Sequence, residues 1–166
     1  MRHILSVLVN NQPRVLARVA SLVGQRNFNI ESISVGESEE PGLSRMVIVT
    51  NGDKHTMEQV SKQLHKLIDV IKVQNLSADS VVERELLLVK VGASPASRTE
   101  ISGIVEPFRA SIVDVGPSSL MVQATGERSK LDAMIELLRP YGIKEIARTG
   151  VTALARGMSR QKAISS

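Results

Sequence analysis

The chain has 166 residues, 42% of them hydrophobic and 23% charged, which is enough for one ordinary domain or two small ones with real cores. Aromatic residues make up only 2%, with no Trp and one Tyr, so the stacking platforms of single-stranded nucleic-acid binders are missing. The absence of Cys excludes a disulfide framework, a thiolate zinc site and a cysteine nucleophile, and a reducing cytoplasm is the simplest home.

No secretory leader pattern opens the chain, and no apolar run approaches the ~18 residues of a membrane span. A soluble, unexported protein is expected. The net charge of +4 comes from 21 Lys plus Arg against 17 Asp plus Glu. Four of the cations, Arg148, Arg156, Arg160 and Lys162, follow residue 147, after which no acid occurs. The body is therefore neutral, and the excess reads as a short basic terminus, expected as a solvated tail over 158–166, with contact to phosphates or an acidic partner as the alternative.

Residues 3–9, "HILSVLV", are strand-like and carry apolar groups on both faces: Leu5, Val7 and Val9 on one, Ile4 and Leu8 on the other. Helices cover only one face, so the other is expected to meet a partner, a buried intramolecular face being the alternative. From Val15 the period becomes helical, with Val15, Leu16, Val19, Leu22 and Val23 together, and the helix is expected to end near Gly24 to Asn27. Strands follow at 28–35 and 44–50, joined by the polar loop "GESEEPGL". Met57, Val60, Leu64, Leu67 and Ile68 mark a second helix, and 69–76 a fourth strand. After a joint at 78–82 the order βαββαβ repeats. Strands are expected at 85–91, 111–115, 119–125 and 143–149, with helices around Ile101, Ile104, Val105 and Phe108 and around Leu131, Met134, Ile135 and Leu138. Ser97 and Glu100 have the spacing of a capping box. The expected fold class is α+β, two tandem ferredoxin-like modules at 1–77 and 83–157, each an antiparallel sheet with two helices on one face.

Catalytic patterns are missing. His3, His55 and His65 sit in unrelated contexts without metal-ligand spacing, and no nucleophile motif or phosphate-cradling glycine loop occurs. Glu37, Glu39 and Glu40 read as a solvated loop run. The RNA-binding version of this fold needs aromatics on its central strands, where this chain has "RMVIV" and "LMVQA". The junction "NNQPRVLARV" remains. A strand entering a helix through Asn10, Asn11, Gln12 and Pro13 presents unpaired N–H groups that suit a carboxylate. Asn11 reads either as a helix N-cap or as a ligand contact, and Pro13 suits the first helical turn. Asn29 is a second polar group in apolar surroundings.

The blocks "RHILSVLVNNQPRVLARVASLVGQRNFNIESISVG", "LSRMVIV", "KQLHKLIDVIKV" and "ERELLLVKV" resemble the small regulatory subunits of acetolactate synthase, over about residues 1–157 and most densely over 2–91. The resemblance implies an N-terminal ACT domain, a module that binds amino acids and dimerises, and a C-terminal ferredoxin-like domain. It also implies a non-catalytic partner of the large catalytic subunit, which carries thiamine diphosphate, magnesium and FAD, with activation of that subunit and feedback inhibition, usually by valine, in branched-chain amino-acid biosynthesis. No cofactor, metal, nucleic acid or membrane is implied for this chain.

The implied effector site lies between two ACT domains of a homodimer. Asn11, Pro13, Arg14, Val15 and Leu16 come from one chain, and Asn29 and Ile30 from the other. Arg14 departs from the family, which usually has Gly there. A free-standing amino-acid sensor of the same fold is the main alternative. An acylphosphatase-like enzyme lacks its glycine-rich loop.

Overall fold

The computed structural model describes residues 1–25, 28–77 and 80–157. The helix end at 26–27, residues 78–79 of the joint and the tail at 158–166, with Arg160 and Lys162, lie outside the described residues. Two compact units result, Met1–Val82 with the segment from Val151 onward, and Glu83–Gly150.

The first unit runs β1 (Arg2–Asn10), α1 (Val15–Gly24), β2 (Asn29–Glu37), β3 (Leu43–Asn51), α2 (Lys54–His65) and β4 (Val70–Asn75). The strands form an antiparallel sheet in the order β2-β3-β1-β4, the split-βαβ order read from the sequence. Alternation along β1 turns Leu5, Val7 and Val9 toward the helices, where Met46 and Ile48 of β3 meet Val15, Val19 and Val23 of α1 and Met57, Val60 and Leu64 of α2. Asp53 caps α2, accepting from the Thr56 amide at 2.7 Å. Those bonds from Thr56 hold the Asp53 carboxyl below its ordinary pKa.

The second unit repeats the order with β5 (Val81–Gly92), α3 (Ser97–Val105), β6 (Ser111–Val115), β7 (Ser119–Gly126), α4 (Arg128–Leu138) and β8 (Ile143–Arg148). Its sheet order is β6-β7-β5-β8. Leu87, Val89 and Val91 of β5 pack against Ile101 and Val105 of α3 and Leu131, Met134 and Leu138 of α4. The expected capping box sits one turn earlier than the Ser97–Glu100 spacing suggests. The Ser97 amide donates to Ser94 Oγ at 3.2 Å, and the Ser94 amide returns to Ser97 Oγ at 2.8 Å. Glu100 instead accepts from the Tyr141 hydroxyl at 3.0 Å.

The outer face of the first sheet is where the structure departs most from the sequence reading. Ile4 is buried, but the apolar groups over it belong to this chain. After Gly150 the chain forms a ninth strand, β9 (Thr152–Ala155), which pairs with β5. Val151 and Ala153 close a cluster with Ile4, Val47, Val49 and Leu76. Ser34 Oγ donates to the Val151 carbonyl at 2.8 Å, and the Val151 amide donates to Ser32 Oγ at 3.2 Å. Two serine hydroxyls of β2 thus satisfy both main-chain polar groups of the buried Val151. Residues 151–155, placed by the sequence reading at the end of the C-terminal module, pack in the first unit. At Ile4, the surface expected to await a partner is already covered.

Arg148, counted among the terminal cations, is likewise not a tail residue. Its guanidinium hydrogen-bonds the Glu85 carboxylate, whose side chain is 0% exposed, and reaches Asp132 at 2.8 Å. Arg128 stands 3.9 Å from both acids. Burial opposes the charged guanidinium, but the bonds to Glu85 and Asp132 outweigh it and hold the Arg148 pKa above its ordinary value.

Breaking this network from one side leaves a carboxylate in the interior. Arg148→Met should therefore destabilise the chain by about 3–5 kcal/mol in urea melts, whereas the double variant Glu85→Leu/Arg148→Met should recover most of the loss. Replacing Ser32 or Ser34 with Ala should cost about 1–3 kcal/mol each, since the Val151 peptide then keeps an unsatisfied group. Hydrogen exchange should show faster exchange at Val151 in Ser32→Ala.

Candidate effector site

The junction after β1 is built from main-chain bonds. The Asn10 amide donates to Asp69 O, the Asn11 amide to Gly42 O and the Gln12 amide to Asn10 O, at 2.8, 2.8 and 2.9 Å. The Val15 amide returns to Gln12 O at 3.4 Å, which makes Pro13 and Arg14 the central pair of a tight turn. Arg14 has φ 75° and ψ −11°, the third-position geometry of a type II turn. Pro favours the position before it, and Gly the position itself. The main chain thus gives a conformational reason for glycine at residue 14, and this chain holds an arginine in the left-handed region instead.

Helix α1 starts at Val15 with Arg14 in the N-cap position and no side-chain cap. Asn11 is therefore not the N-cap, and Pro13 precedes the helix rather than filling its first turn. The first-turn amides keep the donor character that favours an anion.

The proposed site residues are not gathered in one place. Asn11, Pro13 and Arg14 are exposed. Val15 is buried in the core, 3% exposed, so at the junction it is Leu16, 48% exposed, that offers an apolar side chain. Asn29 is exposed at the start of β2, its carbonyl accepting from Thr50 Oγ1 at 3.0 Å, and Ile30 packs half-buried on the core.

The strand register separates these two groups. Asn29 pairs with Asn51, which pairs with Arg2, while Asn10 at the other end of β1 pairs with Leu43. At roughly 3.3 Å per residue, the nine steps from Arg2 to Asn11 put Asn11 and Asn29 about 30 Å apart along the sheet.

Other polar residues have structural partners. His3 is buried, with Nε2 3.0 Å from Gly52 O, and His55 meets Gln59. Among the described residues, no group of three or more His, Asp or Glu is placed to hold a metal. No described helix is long and apolar enough to cross a membrane. The sequence reading missed Arg45, which leaves the outer face of β3 to bind Glu39 at 3.1 Å and Ser6 Oγ at 3.3 Å. The available signal was a cation inside the otherwise apolar "RMVIV". The bond from its own loop backbone and the contact with Arg45 hold the Glu39 carboxyl below its ordinary pKa.

Comparison with known proteins matches both halves of the chain. Residues 5–72 fit the family model described as the AHAS small subunit-like ACT domain, and residues 84–157 fit that of the small subunit of acetolactate synthase. The acetolactate synthase small subunit of Bacillus subtilis is 53% identical over 99% of this chain and 96% of its own length. A probable acetolactate synthase small subunit of Methanothermobacter thermautotrophicus is 55% identical over 93% of each chain. The crystal structure of the acetolactate synthase small subunit from Thermotoga maritima superposes with a TM-score of 0.85 at 46% identity, covering 94% of this chain and 98% of that one. A split-βαβ first unit, a second unit of the same order and these likenesses along nearly the whole length converge: the chain belongs to the family of acetolactate synthase small subunits, with an ACT domain in its first half.

Proposed function

We propose that this chain binds the large catalytic subunit of acetolactate synthase in the cytoplasm, raises its activity and makes it sensitive to feedback by valine. The chemistry stays on the partner, with its thiamine diphosphate, magnesium and FAD. The valine site lies between two ACT domains of a homodimer, where the β1–α1 junction of one chain meets the start of β2 of the other.

The observation that carries this reading is the separation of Asn11 and Asn29 at opposite ends of one sheet. A molecule as small as valine cannot touch both in a single chain. Two chains side by side in antiparallel fashion would bring one copy of each together twice, as two-fold symmetry requires. Valine would then stabilise one arrangement of the dimer over another, and a coupling of about 1–3 kcal/mol is enough to change the partner's activity several-fold. Leu16 supplies an apolar contact, and the uncapped amides of α1 receive the carboxylate.

Arg14 tunes this site. Its left-handed backbone costs about 1 kcal/mol more than glycine would, and its side chain brings bulk and charge to the entrance. Arg14→Gly should raise thermal stability by about 1 kcal/mol and bind valine more tightly than the wild type in calorimetry. An absence of heat in both proteins would remove Asn11 and Asn29 from the site. For the partner, mixing the purified subunits should increase the rate of acetolactate formation. An unchanged rate at saturating small subunit would overturn the assignment.

A further inference from the structure

The outer face of the first sheet is only partly closed by β9. Beside Leu154, 61% exposed, a cleft of about 400 Å³ remains over β1 and β4, within the ~300–1,000 Å³ range of small-molecule sites. Its floor is polar although buried, with Ser6 3% and Gln74 8% exposed. Leu8, Leu76 and Leu154 make its apolar wall. Charges of both signs stand at its rim, Arg45 and Lys72 against Glu39 and Glu40.

These charges are not equivalent. Arg45 is engaged, donating to Ser6 Oγ at 3.3 Å and to both Glu39 oxygens at 3.1 and 3.2 Å. Lys72, opposite Leu8 in the register, enters no hydrogen bond or ion pair among the described residues, and neither does the Glu40 carboxylate. The cleft therefore offers one fixed ion pair, one unengaged cation and one unengaged acid around an aliphatic wall. A simple anion would face Glu39 and Glu40, and a simple cation would face Arg45 and Lys72. An uncharged apolar molecule would desolvate the rim without compensation.

We propose that this cleft is a second binding site, for a free α-amino acid with an aliphatic side chain. Its carboxylate meets Lys72, its ammonium group meets Glu40, and its side chain lies on Leu8, Leu76 and Leu154. Because Leu154 belongs to the terminal strand, occupancy also holds β9 against the sheet. The site shares no residue with the β1–α1 junction or the start of β2, so it stands or falls apart from the reading given above.

The test is calorimetry on the full chain with leucine, repeated on Lys72→Glu and Leu154→Ser, with Asn29→Ala as the variant that touches only the junction site. Leucine should bind the wild type and Asn29→Ala alike and at least about tenfold more weakly to Lys72→Glu. Isoamylamine and 4-methylpentanoate, each lacking one of leucine's charges, should also bind about tenfold more weakly than leucine. Leucine affinity unchanged in both Lys72→Glu and Leu154→Ser, or abolished in Asn29→Ala, would overturn the proposal. So would the absence of leucine heat in the wild type.

Discussion

A β-sheet has two faces, and in the first unit both are apolar where the central strands run. Leu5, Val7, Met46 and Ile48 line one face, and Ile4, Val47 and Val49 the other. Among the described residues, the first unit has two helices, and both lie on the first face. The second has to be covered by something else or left wet. Each large aliphatic side chain removed from water contributes about 1.5–3 kcal/mol, so an uncovered Ile4, Val47 and Val49 would be a substantial loss for a unit of this size. Val151 and Ala153 resolve this by returning across the sheet. Ser32 and Ser34 are the counterpart of that return, since valines at those positions would leave the crossing peptide without partners.

The second unit follows the same plan with different local devices. Its first helix, α3, is entered through the Ser94–Ser97 exchange rather than an Asp cap, and Glu85, Arg128, Asp132 and Arg148 form a charged network around a buried carboxylate. Neither unit gathers a metal-ligand set of His, Asp and Glu among the described residues.

Much of this was readable in advance because it rests on period. Helical spacing from Val15 and alternation from His3 depend on which face each side chain occupies, and a core made of Val, Ile, Leu and Met leaves little ambiguity there. The tandem order and the junction after β1 emerged the same way. Three features did not. The strap over Ile4 joins residues more than a hundred positions apart, and four short residues, Thr152–Ala155, carry no periodic signal of their own. The burial of Glu85 is invisible without knowing that Arg148 and Arg128 converge on it. The left-handed backbone of Arg14 was masked by its residue type, since an arginine gives no hint of a conformation that glycine would have announced. In each case the missing information was non-local or was hidden by an atypical residue.

The returning strand also bears on how the molecule is made. The hydrogen bond from Ser34 to Val151 spans 117 residues and that from Val151 to Ser32 spans 119, long closures that are slow to form compared with helix packing. A growing chain emerges from its N-terminus at roughly 5–20 residues per second, so the first sheet and its helices are exposed for several seconds before residue 151 is synthesised. During that interval Ile4, Val47 and Val49 form a naked apolar strip on a nearly finished unit. Completion of the first unit therefore waits on residue 151, and until then its outer sheet face is the growing chain's liability to misassociation.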